Sequence, residues 1–439
     1  LANRGTNWAG NVTFSAQRHH SPSSISELQE VVAKSHELRP LGTGHSFNRL
    51  ADTSGDLVST ASLPHRFDLD TTGPTVTVSA GTTYGGLAQR LHAAGFALES
   101  LGSLPHISVG GAIATGTHGS GNTVTGLAAA VTALQRVNSD GELIETSAEA
   151  DKDFPGSVVA LGALGVVTAV TLRVVPAFEV RQWVYDDLPA AAVWQDAEEI
   201  FARAFSVSLF TEWRGDSFHQ VWLKQRVGPD TDADQPSRRW LGATLAEVQR
   251  HPIAGMPVEN CTEQLGSPGP WHARLPHFRS QFTPSSGNEL QSEYLLPREH
   301  TASALAALNG IRDRIASLVQ ICEIRTVARD DLWLSPAYGR DTVGVHFTWV
   351  PDVVAVTQAL PVVEDTLAPY DPRPHWAKLF TLSPQAVASR YERYDDFSAL
   401  MFRADPAGKF RNDLLDGWFP PPVRAAAPPA RRARRRTSR

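Results

Sequence analysis

Two cysteines, Cys261 and Cys322, stand in 439 residues, too few for a disulfide-stapled secreted fold and without metal-ligand spacing. Lysine is almost as scarce: Lys34, Lys152, Lys224, Lys378 and Lys409 stand against 35 arginines, so a lysine in a pocket would draw notice. No apolar h-region occurs in the first thirty residues, so no export signal is read and the chain is expected to be cytoplasmic. One uncharged run, residues 154–172, is long enough to imitate a spanning helix. Pro155, Gly156, Gly162 and Gly165 interrupt it, and Val166, Val167, Thr168, Val170 and Thr171 make its end β-branched. It reads as a short buried helix, a glycine turn and a strand, so no membrane partner is expected.

What is present is a globular composition, 42% hydrophobic, at a length compatible with about three domains of ~150 residues. The net charge is −6, and setting aside the seven arginines from Arg424 onward leaves −13 for residues 1–423. An acidic body argues against a nucleic-acid partner. The Ala/Pro/Arg tail, residues 424–439, has no core to bury and is expected to be disordered.

Along the chain, Ser24 and Glu27 form a capping box before a helix with Leu28, Val31 and Val32 on one face. Residues 75–79 alternate as a strand, and 84–94 read as a helix burying Tyr84, Leu87, Ala88 and Leu91, stopped by Gly95. After about residue 178 the texture changes to longer segments. Strands are expected at 206–213, 220–224, 321–327 and 343–350, with a helix at 301–316. The fold class is α+β with two lobes: a cofactor lobe at 1–178, a substrate lobe at 179–404, and a C-terminal return at 405–423 before the tail.

Residues 42–47, Gly-Thr-Gly-His-Ser-Phe, place Phe47 where a dinucleotide fingerprint needs its third glycine, which excludes a Rossmann site. Residues 102–121 combine six glycines and two alanines with small hydroxyls and no charge. Such a segment can bring backbone N–H groups close to a phosphate, with no basic side chain expected nearby, or it can be a packing interface of small residues. His45, between Gly44 and Ser46, is expected to be exposed by its small neighbours, although a loop histidine taken alone is far more often structural or inert.

Read together, these segments resemble the vanillyl-alcohol-oxidase-type flavoproteins, and among them the bacterial alditol oxidases. The resemblance runs from Thr6-Asn7-Trp8-Ala9-Gly10-Asn11 to Asp405-Pro406-Ala407-Gly408-Lys409-Phe410. Between them lie Leu104-Pro105-His106-Ile107-Ser108-Val109, Gly162-Ala163-Leu164-Gly165-Val166-Val167-Thr168, Asn260-Cys261-Thr262-Glu263-Gln264 and Ser335-Pro336-Ala337-Tyr338-Gly339-Arg340-Asp341-Thr342.

The resemblance implies a two-lobed fold whose FAD-binding lobe is of the PCMH type and whose second lobe carries a large antiparallel sheet. It implies FAD in elongated form, linked through its 8α-methyl to His45. No cysteine lies between residues 38 and 260, so a single covalent link is implied. Leu41, Gly42, Thr43, Gly44, Ser46, Phe47, Asn48, Ser103, Ser108, Gly111, Thr115, Gly116, Thr117, His118, Val167 and Asn412 would line the cofactor. Ser103, Glu323, Arg325, Thr348 and Lys378 would bind a polyol. Glu323 and Arg325 alternate about Ile324 on a strand and so share a face. The acceptor Glu323, the donors Arg325 and Lys378, and the two hydroxyls suit a substrate made of hydroxyl groups.

The implied reaction takes a hydride from C1 of the polyol, with O2 as final acceptor. Arg325 and Lys378 would stabilise alkoxide character, and either His346 or a water assisted by Lys378 would take the proton. Gly102 stands where relatives can carry alanine, which leaves the path of O2 open. The implied protein is a monomer. A sugar-1,4-lactone oxidase of the gulonolactone type is the alternative on the same scaffold.

Overall fold

The computed structural model describes residues 5–228, 236–282 and 285–421. The expected tail at 424–439 lies outside them. The first lobe opens with three short strands paired in parallel, β1 (Arg18–His20), β2 (Leu38–Leu41) and β3 (Asp56–Ser59), with β3 in the middle. An antiparallel sheet follows. It is built from β4 (Phe67–Asp70), β5 (Thr75–Ser79), β6 (Val131–Val137), β7 (Leu143–Ser147) and β8 (Val166–Arg173), in the order β4-β5-β8-β6-β7.

Local chemistry sets the boundaries. The Ser24 hydroxyl accepts from the Glu27 amide, while the Glu27 carboxylate reaches back to Ser23 rather than Ser24. The Tyr84–Ala93 helix buries Tyr84, Leu87, Ala88 and Leu91, the face its spacing specifies. The uncharged run at 154–172 divides into a helix, Phe154–Val158, a glycine turn, and β8.

The second lobe is a ten-stranded sheet. Its long members are β9 (Glu179–Pro189), β10 (Ser206–Thr211), β11 (Ser217–Arg226), β12 (Leu290–Pro297), β13 (Val319–Val327) and β14 (Thr342–Trp349). They run β9-β11-β10-β13-β14-β12, all antiparallel. The expected helix at 301–316 is two pieces, Thr301–Gly310 and Arg312–Ile315, because the chain turns out of helical geometry at Ile311.

Period-2 alternation gives the sheet two unlike faces. Val207, Leu209, Val221, Tyr294, Ile324, Val345 and Phe347 lie in an apolar core, with Val193, Ile200, Leu305, Leu308, Val356 and Val363 contributed by the helices over that face. The opposite face carries Gln291, Glu293, Glu323, Arg325, His346 and Thr348, and all six line the cleft toward the first lobe.

The lobes share a core. Trp271, Trp333, Trp376, Phe397, Met401, Leu415 and Phe419 pack with Leu87, Val109, Val158 and Val170 of the first lobe. Residues before the expected 405–423 return thus also pack against the first lobe. No helix among the described residues is long and apolar enough to cross a membrane.

Candidate active site

One long cleft, about 1880 Å³ including its open mouth, runs between the lobes. Its first half is walled by residues 39–47, 110–115 and 160–167 together with Arg136, and its second half by the polar face of the large sheet.

The first half is shaped by missing side chains. A Cβ at Gly42 would stand 2.5 Å from Ser108 Oγ, and one at Gly111 would stand 3.0 Å from it. Ser108 begins the Val109–Ala114 helix without a side-chain cap, and its hydroxyl is buried without a partner. The N–H groups of Thr43, Gly44, His45 and Ser46 donate to no protein acceptor among the described residues. Free backbone donors at residues without bulk form an anion-binding nest.

Contrary to the sequence expectation, two basic side chains also reach this half. Arg39 is buried and donates to the carbonyls of Leu50, Leu161, Gly162 and Phe410. Burial pushes its pKa down to about 9. Arg136 donates to Thr146, and its Nε is buried without a partner. Unpaired amides, with the charge of two arginines beside them, fit the diphosphate of a dinucleotide cofactor.

His45 is half-buried rather than exposed, because Trp8 stacks on its ring at 4.9 Å and 19°. Its Nδ1 meets Thr43 Oγ1 at 3.2 Å, while Nε2 has no protein partner. Burial, with His106 nearby, lowers its pKa to about 4, so the imidazole is neutral.

Four of the expected cofactor residues do not line the cleft wall. Asn48 donates to the Trp376 and Lys378 carbonyls and so ties the turn bearing His45 to the segment bearing Lys378. Asn412 caps the Asp413–Trp418 helix and donates to the carbonyls of Arg49, Leu50 and Asp52. Gly116 sits at φ +71 with Pro336 against it, and Ser108 stands behind Gly42 and Gly111. Leu41, Gly42, Thr43, Gly44, His45, Ser46, Phe47, Ser103, Gly111, Thr115, Thr117, His118 and Val167 do line it.

In the second half, strand register sets the geometry. Glu323 of β13, His346 of β14 and Glu293 of β12 are direct cross-strand partners, so their side chains stand in a row on one face. Two residues along β14, Thr348 pairs Ile321 and Gln291.

Glu293 is the hub. Its Oε2 accepts from Lys378 Nζ at 2.6 Å, and its Oε1 from Arg325 Nη2 at 3.1 Å, with His118 Nε2 at 3.3 Å. Arg325 Nη1 donates to Ser103 Oγ at 3.1 Å, which joins the second lobe to the first.

Burial alone would raise Glu293 and Glu323, but their neighbours outweigh it: the cations Lys378 and Arg325 at Glu293, the cation Arg325 and the hydrogen-bonding His277 ring at Glu323. Both carboxyls are held well below the ordinary range. Burial lowers Lys378. His346, with Nδ1 at 3.5 Å from Lys378 Nζ, is pushed down to about 3 by burial and by that cation.

The expected substrate residues Ser103, Glu323, Arg325, Thr348 and Lys378, with His346, therefore converge on one end of the cleft. Sequence reasoning missed Glu293, His277 and Gln291. The available signal was a run of polar residues, 291–293, inside an otherwise apolar strand.

Two family models match the chain: an FAD binding domain over residues 17–147 and D-arabinono-1,4-lactone oxidase over residues 286–418. Among curated proteins, an alditol oxidase of Streptomyces sp. is 52% identical, the alignment covering 94% of this chain and 99% of that protein. An L-gulono-1,4-lactone dehydrogenase of Mycobacterium tuberculosis is 28% identical over 93% of this chain and 97% of its own. Among solved structures, cholesterol oxidase from B. sterolicum superposes with a TM-score of 0.77 at 15% identity, covering 94% of this chain and 96% of that one.

Proposed function

The chain belongs to the alditol oxidases, FAD-linked oxidoreductases of the vanillyl-alcohol-oxidase type, and from that premise we propose how its cleft oxidises the C1 primary alcohol of xylitol, sorbitol and similar polyols. The observation that carries the reading is the Glu293 hub, which presents two cations to one end of a cleft whose other end fits a dinucleotide. When bound, FAD supplies the hydride acceptor and passes the electrons to O2, so the products are an aldose and H2O2.

Residues 42–46, Ser103, Gly111, Thr115, Thr117, His118 and Val167 would hold the cofactor, and His45 would form the single covalent link. The neutral imidazole of His45 supports that assignment, since a protonated ring cannot attack a carbon. Both cysteines are buried and unpaired, which leaves no second linkage and accords with a reducing, cytoplasmic setting.

Lys378 and Arg325 stabilise negative charge developing on the reacting oxygen. Glu293 holds both in place and offsets their charge, so they stay fixed while the substrate is absent. Glu323, Ser103 and Thr348 bind the remaining hydroxyls, each able to accept a hydrogen bond. His346, pushed down to about 3, is neutral and its Nε2 has no protein partner, so its ring offers a lone pair for the hydroxyl proton, taken directly or through a water held by Lys378.

The lactone-oxidase reading has one observation in its favour, the family model over residues 286–418. Xylitol, sorbitol and a gulonolactone, assayed side by side for peroxide, separate the two. The alditols are expected to be the better substrates, and turnover of the lactone alone would reverse the assignment.

A further inference from the structure

Outside the groups that touch the reacting hydroxyl, one buried cation has no role in the chemistry above. Lys224, on β11, is 1% exposed and does not reach the cleft wall, whereas its neighbour His277 and the next residue in the chain of contacts, Glu323, both line it. A buried ammonium is costly unless all three protons find acceptors. Here they do: Lys224 Nζ donates to the carbonyls of Leu275 and Pro276 and to His277 Nδ1, the last at 3.1 Å.

An ammonium has no lone pair, so the nitrogen it meets on His277 must supply one. The His277 proton is thereby confined to Nε2, which donates to Glu323 Oε1 at 2.7 Å. Ser208 Oγ donates to the same oxygen at 2.8 Å. Glu323 Oε1 is therefore occupied by two protein donors. Its Oε2 is not: Arg325 Nη1 stands 3.7 Å away and His346 Nδ1 4.0 Å away, both beyond hydrogen-bond reach. One carboxylate oxygen is anchored in the protein and the other is left open beside the cleft.

We propose that Lys224 and His277 form a positioning relay that fixes Glu323 as a one-sided acceptor for a polyol hydroxyl that does not react. The inference rests on the alditol-oxidase reading and deepens it by separating recognition from chemistry. Neither relay residue is catalytic; each acts through Glu323. His277, lowered to about 4 by burial and by Lys224, is neutral, so the positive charge opposing Glu323 at this end belongs to Lys224. Burial lowers Lys224 itself to about 7, with Glu323 and Cys261 acting to raise it and Arg325 to lower it. Above that pH the positive charge behind His277 is lost, which weakens the Nε2 donor to Glu323.

The test uses flavin-loaded enzyme and anaerobic stopped-flow reduction by xylitol, whose concentration dependence yields a Kd and a limiting rate. Lys224→Met and His277→Phe are expected to raise the Kd about tenfold, the scale of one charge-assisted hydrogen bond, with limiting rates within about twofold of the parent. His277→Gln can donate from its amide and accept from Lys224, and is expected to bind nearly as well as the parent. In the parent the Kd is expected to rise as pH passes about 7, and Lys224→Met to abolish that rise.

An unchanged Kd in His277→Phe overturns the proposal. So does a loss confined to the limiting rate, or a Gln variant as weak as the Phe variant. If Lys224→Met fails to fold, the Phe and Gln pair decides alone. Failure of xylitol to reduce the parent enzyme would instead overturn the alditol reading on which the relay rests.

Discussion

Along residues 42–46 and 110–115 the cleft wall is backbone and small side chains, while between Glu293 and Lys378 it is charge carried on paired strands and the segment beside them. A flat, elongated cofactor with a diphosphate needs close approach and many weak donors, which glycines and free amides provide. A small flexible polyol, with only hydroxyls to recognise, needs a few strong groups at fixed spacing. Cross-strand register provides that spacing, because a strand cannot slide without turning its side chains to the other face. One side is thus defined by the atoms left out and the other by the atoms held still.

The contrast is most exposed to disproof at Glu293. Replacing it with leucine leaves Arg325 and Lys378 buried against each other without their shared anion, and such breaks typically cost ~3–5 kcal/mol. Denaturant unfolding of flavin-loaded enzyme is expected to show a loss of that order. A change below about 1 kcal/mol would mean that the hub is not what holds the charged side.

Next in size are Lys378→Ala and Arg325→Ala. Each is expected to slow the limiting rate of flavin reduction by roughly 10² to 10³, the ~3–4 kcal/mol that one electrostatic donor supplies to a transition state. Wild-type limiting rates in both would refute their assignment to the reacting hydroxyl.

On the cofactor side, Gly42→Ala drives a methyl into Ser108 Oγ. The expected cost is about 1–3 kcal/mol, seen as lower thermal stability and reduced flavin content. Gly42→Ala with Ser108→Ala is expected to recover most of it. No recovery would place the fault in the approach of the cofactor rather than in the contact with Ser108.

The smallest effects fall at Ser103 and Thr348. Alanine at either should raise KM by about 0.5–1.5 kcal/mol equivalent, with the limiting reduction rate nearly unchanged. Ser103 also accepts from Arg325, so a fall in rate at Ser103 but not at Thr348 would show that this bond positions the cation.

Much was legible before the fold was known, wherever a residue's role depends on its immediate neighbours. The buried face of the Tyr84–Ala93 helix follows from spacing alone, and Glu323 and Arg325 share a face because they are two apart on a strand. The glycines near His45 and in 102–121 announce backbone approach. Asn48 and Asn412 were assigned to the cofactor, yet both side chains are spent on carbonyls from distant segments. Nothing in their local sequence distinguishes those two uses.

The sequence by itself determined the small-residue wall and the shared face of Glu323 and Arg325, because these rest on absent side chains and on period-2 alternation, while the polyol-binding set was implied by the resemblance to the alditol oxidases. Only the tertiary structure decided that Glu293 sits between Lys378 and Arg325, 85 and 32 residues away, and that Lys224 reaches Glu323 through His277. The reason is sheet order. Pairing β12 with β14, and β14 with β13, places Glu293, His346 and Glu323 side by side, and no local pattern encodes which strands become neighbours.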